Sequence, residues 1–404
     1  MIDLKGIGIV RINKTWNQNV VKQENKFLVQ KIILNSTPIS RAEIATRTGL
    51  NKGTVSSLVT ELLEEELIYE MGQGESSGGR RPVMLFFNQV AGHSIGIDIG
   101  VNYLLGILTD LQGNICHEKT IRFSNFTFEE IMSELFNTID FLISSAPPSP
   151  YGVIGIGVGV PGTVRETGEI LIAPNLGWTN IHLIEILKEK YALPIIIENE
   201  ANAGAYGEKR FGVGKDFNNI VYLSIGIGIG AGLIVTDKLY QGKHGFSGEL
   251  GHMTIEVNGM KCKCGSEGCW ELYASEQSLL NNARQLGITP DNENELSLEY
   301  LLLLADSGHQ ETIHLFEQIG DYIGVGIKNI INIFNPEQVI IGNRIASAEK
   351  WLKAPINKRI HQTIGFHEDH LTFLNPATRS TALGLAAFSI ESFLENQKKT
   401  NEIL

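Results

Sequence analysis

The stretch Ser94-Ile-Gly-Ile-Asp-Ile-Gly100 is rich in isoleucine and ends on a glycine, which is typical of a buried strand that meets a tight turn. A second apolar strand follows at Leu104–Asp110. Similar strands begin at Ile154 and Ile220, with helical stretches at 128–144 and 184–190 between them. Strands that alternate with helices predict an α/β body. Because the pattern opens twice, about 125 residues apart, we expect two lobes with a ligand cleft between them.

The composition is that of an ordinary globular protein, with 404 residues, 43% hydrophobic and 19% charged. No apolar run reaches the roughly 18 to 20 residues that span a bilayer, and the N-terminus lacks the apolar segment of a signal peptide. We therefore expect a cytoplasmic protein with no membrane partner. The net charge is +2 over residues 1–87 and −14 over the remainder, so the first domain is the one expected to meet a polyanion.

Three of the four cysteines lie in one short run, in which Cys262 follows His252 by ten residues. Three thiolates and an imidazole at this spacing suit one tetrahedral Zn²⁺, and four protein ligands make such a site closed and structural. The predicted metal ligands are His252, Cys262, Cys264 and Cys269. The remaining cysteine, Cys116, stands alone, and we expect it to be a small core residue. Clustered free cysteines also fit a reducing cytoplasm.

The first domain has the spacing of a helix-turn-helix. Apolar residues recur at helical intervals from Asn19 to Leu34, and Ser40-Arg-Ala-Glu43 has the form of a capping box that starts a new helix. Gly49 stands where the turn needs a left-handed residue, and Asn51 can cap a second helix that runs to about Glu66. We expect that second helix to lie in the major groove of DNA.

Two apolar strands, at 67–70 and 83–87, flank a tip rich in glycine and serine and indicate the wing of a winged helix. Arginines at such a tip can enter the minor groove, and short hydroxyls or a lysine on the recognition helix can reach base edges or phosphates. The predicted DNA-binding residues are Arg41, Lys52, Thr54, Ser56, Ser57, Arg80 and Arg81. The alternative for this domain is a helical hairpin used for protein contacts.

From about Asn17 to Leu394, the chain resembles the ROK family of repressors and sugar kinases. The resemblance rests on the glycine-rich run Ile225–Leu233 with the histidine and cysteines that follow it, and on the blocks Ala173–Trp178 and Ile197–Glu208. Within the family, the head and the last of these blocks most resemble the repressors of xylose utilisation genes in Gram-positive bacteria.

This resemblance implies two domains. Residues 1–87 would form a winged helix-turn-helix, and residues 88–404 would form a sugar-binding body with the two-lobed, actin-like ATPase fold of ROK sugar kinases. The resemblance also implies a homodimer, and a dimer would match the two-fold symmetry of an operator.

Matching of motif positions implies a sugar pocket lined by Gly162, Asn175, Asn199, Glu200, Glu249, His252 and Glu271. Carboxylates accept from hydroxyl groups and asparagine both donates and accepts, which suits a polyol. His252 would hold zinc with one ring nitrogen and face the sugar with the other. Simpler explanations remain for three of these residues: Asn175 as a turn residue, Glu200 as a helix cap and Glu249 as a solvated carboxylate.

Departures from the kinase motifs imply that catalysis is lost. ROK kinases carry Asp-x-Gly-Gly-Thr at the first phosphate loop, where this chain has Asp98-Ile-Gly-Val-Asn102, and a valine side chain hinders the approach of phosphate to backbone amides. Ile227 replaces a threonine of the second phosphate loop, and Asn343-Arg344 replaces two glycines near the nucleotide base. Glu200 replaces the aspartate that acts as general base. We therefore expect no catalytic residue and no enzyme activity.

The resulting interpretation is a transcriptional repressor of xylose utilisation genes that binds operator double-stranded DNA and is released by D-xylose. The choice of xylose rests on the resemblance, because nothing in the spacing separates a pentose from a hexose. Two alternatives remain. One is an ATP-dependent ROK sugar kinase with an accessory DNA-binding head, and the other is a sensor controlled by a phosphotransferase-system protein instead of by free sugar.

Overall fold

The computed structural model describes residues 18–73, 81–124, 126–243, 245–290, 296–361, 370–375 and 378–396. The chain separates into two compact units. The head extends to Ala91 and includes the end of the chain from Ser392, and the body comprises Gly92–Glu391. The division in the structure thus falls four residues after the boundary expected from the sequence.

In its described part, the head combines three helices with a small antiparallel sheet. Its elements are α1 (Gln18–Ser36), β1 (Ile39–Ser40), α2 (Arg41–Thr48), α3 (Lys52–Glu64), β2 (Ile68–Gln73) and β3 (Val83–Phe87). The strand order is β1-β3-β2, and Tyr69 pairs with Phe86 across the hairpin. The winged helix-turn-helix predicted from the sequence is confirmed, although α3 ends two residues earlier than expected.

Only half of the predicted capping box forms at the start of α2. Ser40 Oγ accepts a hydrogen bond of 3.2 Å from the backbone N–H of Glu43, as expected for an N-cap. The Glu43 carboxylate instead pairs with Arg47, one turn further along the helix, at 2.5 Å. A favourable charge pair at this i, i+4 spacing competes with the return bond to the cap.

The turn between α2 and α3 follows the sequence prediction closely. Gly49 adopts a left-handed conformation (φ 71°) that ends α2, and Asn51 Oδ1 accepts from the backbone N–H of Thr54 at 2.8 Å to start α3. Val55 and Leu58 are fully buried beneath the turn, at 0% and 1% exposure. The caps and the buried residues together fix the direction in which α3 leaves the turn.

The first lobe of the body is built on a five-stranded sheet. Its main elements are β4 (His93–Ile99), β5 (Tyr103–Asp110), β6 (Ile115–Arg122), α4 (Phe128–Ser144), β7 (Val153–Val160), α5 (Leu183–Lys188) and β11 (Ile195–Asn199). A small sheet of β8 (Thr163–Val164), β9 (Ile170–Ala173) and β10 (Trp178–Ile181) is inserted after β7. The order of the large sheet is β6-β5-β4-β7-β11, antiparallel from β4 to β6 and parallel from β4 to β11.

The second lobe repeats this arrangement. Its elements are α6 (Glu200–Arg210), β12 (Ile220–Ile225), β13 (Ile229–Val235), β14 (Lys238–Leu239), η1 (Leu250–His252), α7 (Glu271–Ala274), α8 (Glu276–Gln285), α9 (Leu298–Asp306), α10 (Gln310–Phe334), β15 (Gln338–Gly342), η2 (Arg344–Ala348), α11 (Glu349–Ile360), β16 (Leu371–Phe373) and α12 (Ser380–Asn396). The sheet order is β14-β13-β12-β15-β16. If the strands of each sheet are numbered by their order in the chain, both sheets have the same spatial order: third, second, first, fourth, fifth. This repeat confirms the predicted two-lobed α/β body.

Glycines in the middle of the first sheet allow α12 to lie directly on it. A Cβ at Gly96 would be 2.0 Å from Ala382 O, and a Cβ at Gly157 would be 2.4 Å from Leu385 O. The same helix places Ala387 in a core cluster with Ile340 of the second sheet. The body part of α12 therefore packs against both lobes.

Cys116 lies on the edge strand β6 and is exposed, so the predicted core position is wrong. Most side chains of β6 are exposed because the strand has only one neighbour in the sheet. Among the described residues, no helix is both long and apolar enough to cross a membrane.

Candidate functional site

The side chains of the predicted metal ligands converge on one point of the second lobe. One ligand atom from each of His252, Cys262, Cys264 and Cys269 lies within 4.8 Å of all the others. Cys264 Sγ is 3.6 Å from Cys269 Sγ, and Cys262 Sγ is 3.6 Å from His252 Nδ1. Thiolates bound to a tetrahedral zinc ion at about 2.3 Å stand about 3.8 Å apart. The donors and their spacing therefore fit one zinc ion.

A short loop brings the three sulfurs together. The backbone N–H of Cys262 donates to Ser266 O at 2.8 Å, and Gly265 turns the chain with φ 94°. A hydrogen bond from the Ser266 backbone lowers the pKa of Cys264 to about 7, whereas desolvation is the main cause that raises the pKa of Cys269 to about 12. The thiolate is the form that binds a metal, so the loop favours that form at Cys264.

The cysteine cluster, formed by His252, Cys262, Cys264 and Cys269, directly adjoins Glu271, the first residue of α7. Glu271 Oε1 is 3.6 Å from His252 Nδ1 and 3.5 Å from Cys262 Sγ. Because Nδ1 is the His252 nitrogen that faces the cluster, Nε2 remains for a partner on the opposite side of the ring. The use of His252 by both zinc and sugar stays a prediction.

Glu271 and Asn175 both reach towards Gly228. A Cβ at Gly228 would lie 3.0 Å from Glu271 Oε2 and 4.0 Å from Asn175 Nδ2. Any side chain at this position would therefore occupy the space between two predicted sugar-binding groups. The need for open space beside the two polar groups explains one glycine of the 226–232 run.

Gly162 and Glu249 are joined to the same region by the turn that follows β7. Asn199 Nδ2 donates to Gly162 O at 2.8 Å, and the next residue, Thr163, donates through Oγ1 to Glu249 Oε1 at 3.2 Å. Glu249 therefore has a specific partner besides solvent. Contacts between neighbouring residues link six of the seven predicted sugar residues into one region, and Glu200, the seventh, follows Asn199 in the chain.

Asn199 is the residue that caps α6. Its Oδ1 accepts from the backbone N–H groups of Ala201 and Asn202 at 2.8 and 3.1 Å. Glu200 is thus not needed as a cap, contrary to the simpler explanation considered from the sequence. The Glu200 carboxylate instead accepts a hydrogen bond of 3.3 Å from Ser224 Oγ.

Glu200 and Asp98 are two carboxyl groups whose pKa values are both raised. Desolvation raises the pKa of Glu200 to about 8, and the charge of Asp98 adds to this shift. Desolvation also raises the pKa of Asp98 to about 6, while a hydrogen bond from Tyr103 opposes the rise. Two carboxylates held together away from water cannot both ionise easily.

Tyr103 occupies the loop that corresponds to the first phosphate loop of ROK kinases. Its hydroxyl donates to Asp98 Oδ2 at 2.7 Å, and a Cβ at Gly100 would lie 2.1 Å from its ring. The backbone N–H of Gly100 donates to Tyr103 O at 2.9 Å, so this amide is already used within the hairpin. Gly100 is therefore in contact with the Tyr103 ring, and its amide is bonded within the loop.

A cavity of about 590 Å³ lies beside this loop. Its lining includes Asn102, Ile227, Asn343 and Arg344, which are the residues that replace the kinase motifs. None of the seven predicted sugar residues, all of which the structure describes, lines this cavity. The altered nucleotide motifs thus line this cavity, and the predicted sugar residues lie next to it, since Ser224 donates to Glu200 and accepts from Asn343.

Three residues of the sugar region were not predicted from the sequence. Gly228 and Ser224 lie in or beside the glycine-rich strand ends, where sequence alone does not separate packing from ligand access. Thr163 follows Gly162 directly, but a single threonine in a turn carries no signal of its bond to Glu249.

In the head, the structure displays most of the predicted DNA-binding side chains at the start of α3 and beside β3. Lys52, Ser56, Ser57 and Arg81 are exposed, and Thr54 is half-buried. Arg80 lies outside the described residues. Arg41, on the first turn of α2, places Nη1 at 2.6 Å from Glu70 Oε1 on β2, so its charge is shared with a neighbouring strand.

Comparison with known proteins shows what this chain resembles. Residues 94–388 match the profile of the ROK family. The xylose repressor of Bacillus subtilis (strain 168) is 44% identical over 383 residues, which cover 94% of this chain and 98% of that protein.

Two solved structures with similar folds represent the repressor and kinase branches. A ROK family transcriptional regulator described as a homologue of the E. coli MLC protein has a TM-score of 0.78 and 28% identity, with 94% of this chain and 99% of the other covered. A ROK family glucokinase from Streptomyces griseus, in complex with glucose and AMPPNP, has a TM-score of 0.65 and 26% identity, with 74% and 99% covered. Given this match of most of the chain to the family profile, the protein belongs to the ROK family.

Proposed function

We propose that this chain is a sugar-responsive transcriptional repressor of xylose utilisation genes. It binds operator DNA as a homodimer through its winged helices, and D-xylose bound in the body releases it. The similarity to the xylose repressor of Bacillus subtilis supports both the class and the effector. We further propose that the protein acts in the cytoplasm and has no enzyme activity.

The contrast between the two sites of the body carries this proposal. The predicted sugar residues share one region, in which Thr163 supports Glu249 and the cysteine cluster adjoins Glu271. At the altered phosphate loop, by contrast, the Tyr103 ring lies against Gly100, and the Gly100 N–H is bonded to Tyr103 O. A body that combines the predicted sugar groups with an altered phosphate loop suits a sensor better than a phosphoryl-transfer enzyme.

The chemistry of the sugar region suits a polyol. The carboxylates of Glu200, Glu249 and Glu271 accept from hydroxyl groups, while Asn175 can donate and accept. A site with this many polar groups discriminates against a sugar that lacks one of the matching hydroxyls, because a buried polar group would lose its partner. The cysteine cluster would hold a structural zinc ion, which keeps His252 and Glu271 in place.

The response to sugar is a linkage between two binding equilibria. D-xylose releases DNA only when it binds the DNA-competent conformation less tightly than the other conformation. In a homodimer two heads engage two half-sites, so a change in either protomer weakens the whole complex. Free sugar is sufficient for this mechanism, and a protein partner is not required.

The test is fluorescence anisotropy of labelled DNA from upstream of the protein's own operon, with and without D-xylose, at fixed salt. Specific binding that D-xylose releases, and that L-arabinose and D-ribose leave intact, is the expected result. Specific binding that ignores D-xylose would remove the effector. A response that requires an added phosphotransferase-system protein would favour the third interpretation.

A sugar kinase is the second candidate, and the retained carboxyl group of Glu200 favours it. A coupled assay for ADP, with D-xylose and with glucose as substrates, separates the two. Turnover within the range of roughly 1 to 1,000 per second that enzymes commonly reach would overturn the proposal of a non-enzymatic sensor.

A further inference from the structure

Asn343, one of the residues that replace the kinase glycines, is connected to the sugar region by two hydrogen bonds. Asn343 Nδ2 donates to Ser224 Oγ at 3.0 Å, and Ser224 Oγ donates to Glu200 Oε1 at 3.3 Å. A serine hydroxyl has one proton and two acceptor positions. Because Asn343 fills an acceptor position, the single proton of Ser224 is directed towards Glu200.

The orientation of the Asn343 amide is fixed by its own backbone surroundings. Its Oδ1 accepts from the backbone N–H of Arg344 at 2.7 Å, so Nδ2 must be the atom that faces Ser224. The Arg344 guanidinium is held in turn by Glu276 and Glu299, at 3.1 and 2.9 Å. These contacts hold the start of η2 and therefore the side chain of Asn343.

The backbone of Asn343 has an unfavourable conformation for any residue with a side chain. Its φ is 65° and its ψ is −169°, a combination that is almost confined to glycine. Such strain persists only where surrounding contacts enforce it, and it is concentrated at functional sites. A glycine here would relieve the strain. The presence of asparagine at this position therefore needs an explanation in its side chain.

We propose that Asn343 is a positioning residue for the sugar site: through Ser224 it holds the Glu200 carboxyl group in a fixed orientation towards the sugar hydroxyls. This inference rests on the proposed function, since it assumes that Glu200 binds the sugar. The hydrogen bond from Ser224 lowers the pKa of Glu200, against desolvation and the charge of Asp98. Without it, the Glu200 carboxyl group loses the contact that sets its orientation.

A purely structural role makes a different prediction. If Asn343 only capped η2, its removal would lower stability and leave the sugar affinity of the folded protein unchanged. A positioning role requires lower sugar affinity without loss of stability, because Asn343→Gly removes the backbone strain together with the side chain.

The experiment measures D-xylose affinity by titration calorimetry and the thermal midpoint at pH 7 for the wild type, Asn343→Gly, Ser224→Ala and the double variant. We expect each single variant to bind D-xylose about tenfold more weakly, which corresponds to the loss of about one hydrogen bond. The midpoint of Asn343→Gly should equal or exceed that of the wild type. Because both residues act through one hydroxyl, the double variant should bind no more weakly than Ser224→Ala alone.

Asn335→Gly is the matched control, since Asn335 also has a positive φ (43°) but ends α10 and has no bond to the sugar region. Its D-xylose affinity should stay at the wild-type value. Wild-type affinity in Asn343→Gly, or additive losses in the double variant, would overturn the positioning role. Absence of D-xylose binding in the wild type would instead overturn the proposed function, and the inference with it.

Discussion

The hydroxyl of Tyr103 donates a 2.7 Å hydrogen bond to Oδ2 of the buried Asp98. The other oxygen of this carboxylate, Oδ1, has no hydrogen-bond partner among the described residues. Tyr103 is therefore the main polar support of a carboxyl group that is only 5% exposed. The side chain that lies against Gly100 therefore also supports the carboxyl group of Asp98.

Replacement of Tyr103 by phenylalanine removes this support and leaves the ring in place. We expect the free energy of unfolding to fall by about 1–3 kcal/mol, the cost of leaving a buried acceptor without a partner. Urea denaturation at pH 7.5 measures the change. Tyr191→Phe is the control, since Tyr191 donates at 2.8 Å to Asp140, whose side chain is 49% exposed, and water can replace that donor. Equal losses in the two variants would contradict the proposed importance of Asp98.

Stability should fall as the pH rises through the range in which Glu200 ionises. The folded-state pKa of Glu200 is raised from 4.5 to about 8, chiefly by desolvation, so between these values the folded state binds more protons than the unfolded state. Stability is then greatest at the low end of this window and declines towards pH 8. Asp98, with its pKa raised to about 6, acts in the same direction over the lower part.

Glu200→Gln tests this origin of the pH dependence. Thermal midpoints at steps from pH 5.5 to 8.5 should decline more steeply in the wild type than in the variant, because glutamine has no charge to desolvate. Parallel curves would show that Glu200 does not titrate in this range. The assay follows the folded protein without sugar, so it does not depend on the proposed effector.

The cysteine cluster should be required for the sugar site but not for DNA binding. Cys264→Ser removes one of four donors and should lower zinc affinity by about tenfold or more. D-xylose affinity should fall with the zinc content, because His252 and Glu271 adjoin the cluster. Elemental analysis and calorimetry on the same sample measure both. Cys116→Ser, an exposed cysteine outside the cluster, should retain zinc and sugar binding. Normal D-xylose affinity in zinc-free Cys264→Ser would disprove the coupling.

The sequence was informative where function or fold depends on local spacing. The turn at Gly49, the cap at Asn51 and the cluster of His252 with three cysteines each follow from residues close together in the chain. Tyr103 could not be assigned in this way, because a tyrosine one residue beyond a lost phosphate motif does not reveal that its ring turns back onto Gly100.

Contacts between residues far apart in the chain could not be predicted from the sequence either. Asn343 and Ser224 are 119 positions apart, and their contact depends on the parallel pairing of β12 with β15. The predicted core position of Cys116 was wrong for the same reason, since only the strand order shows that β6 lies at an edge. Periodicity identifies a strand, but neighbours within the sheet decide which side chains are buried.

Glu249 should be needed for the response to sugar and not for repression. Its Oε1 accepts from Thr163, so the carboxylate has a fixed position beside Gly162. Glu249→Ala should bind operator DNA with wild-type affinity and should fail to release it at D-xylose concentrations that release the wild type. Anisotropy titrations of the same DNA give both quantities. Glu189→Ala, a change at the end of α5, is the control, and normal release from Glu249→Ala would remove this residue from the sugar site.

Lys52 provides the sharpest test of the head, because a contact with phosphate has a defined salt dependence. Lys52 begins α3 and is exposed, so its ammonium group is free to reach the DNA backbone. Each phosphate contact contributes about −0.9 to the slope of log affinity against log salt concentration. Lys52→Ala should therefore weaken binding to specific and unrelated DNA alike and should reduce the slope by about 0.9 per protomer. Lys358→Ala, on α11 of the body, should leave the slope unchanged. A Lys52→Ala variant that loses affinity for the operator alone, with an unchanged slope, would mean that Lys52 contacts a base and not a phosphate.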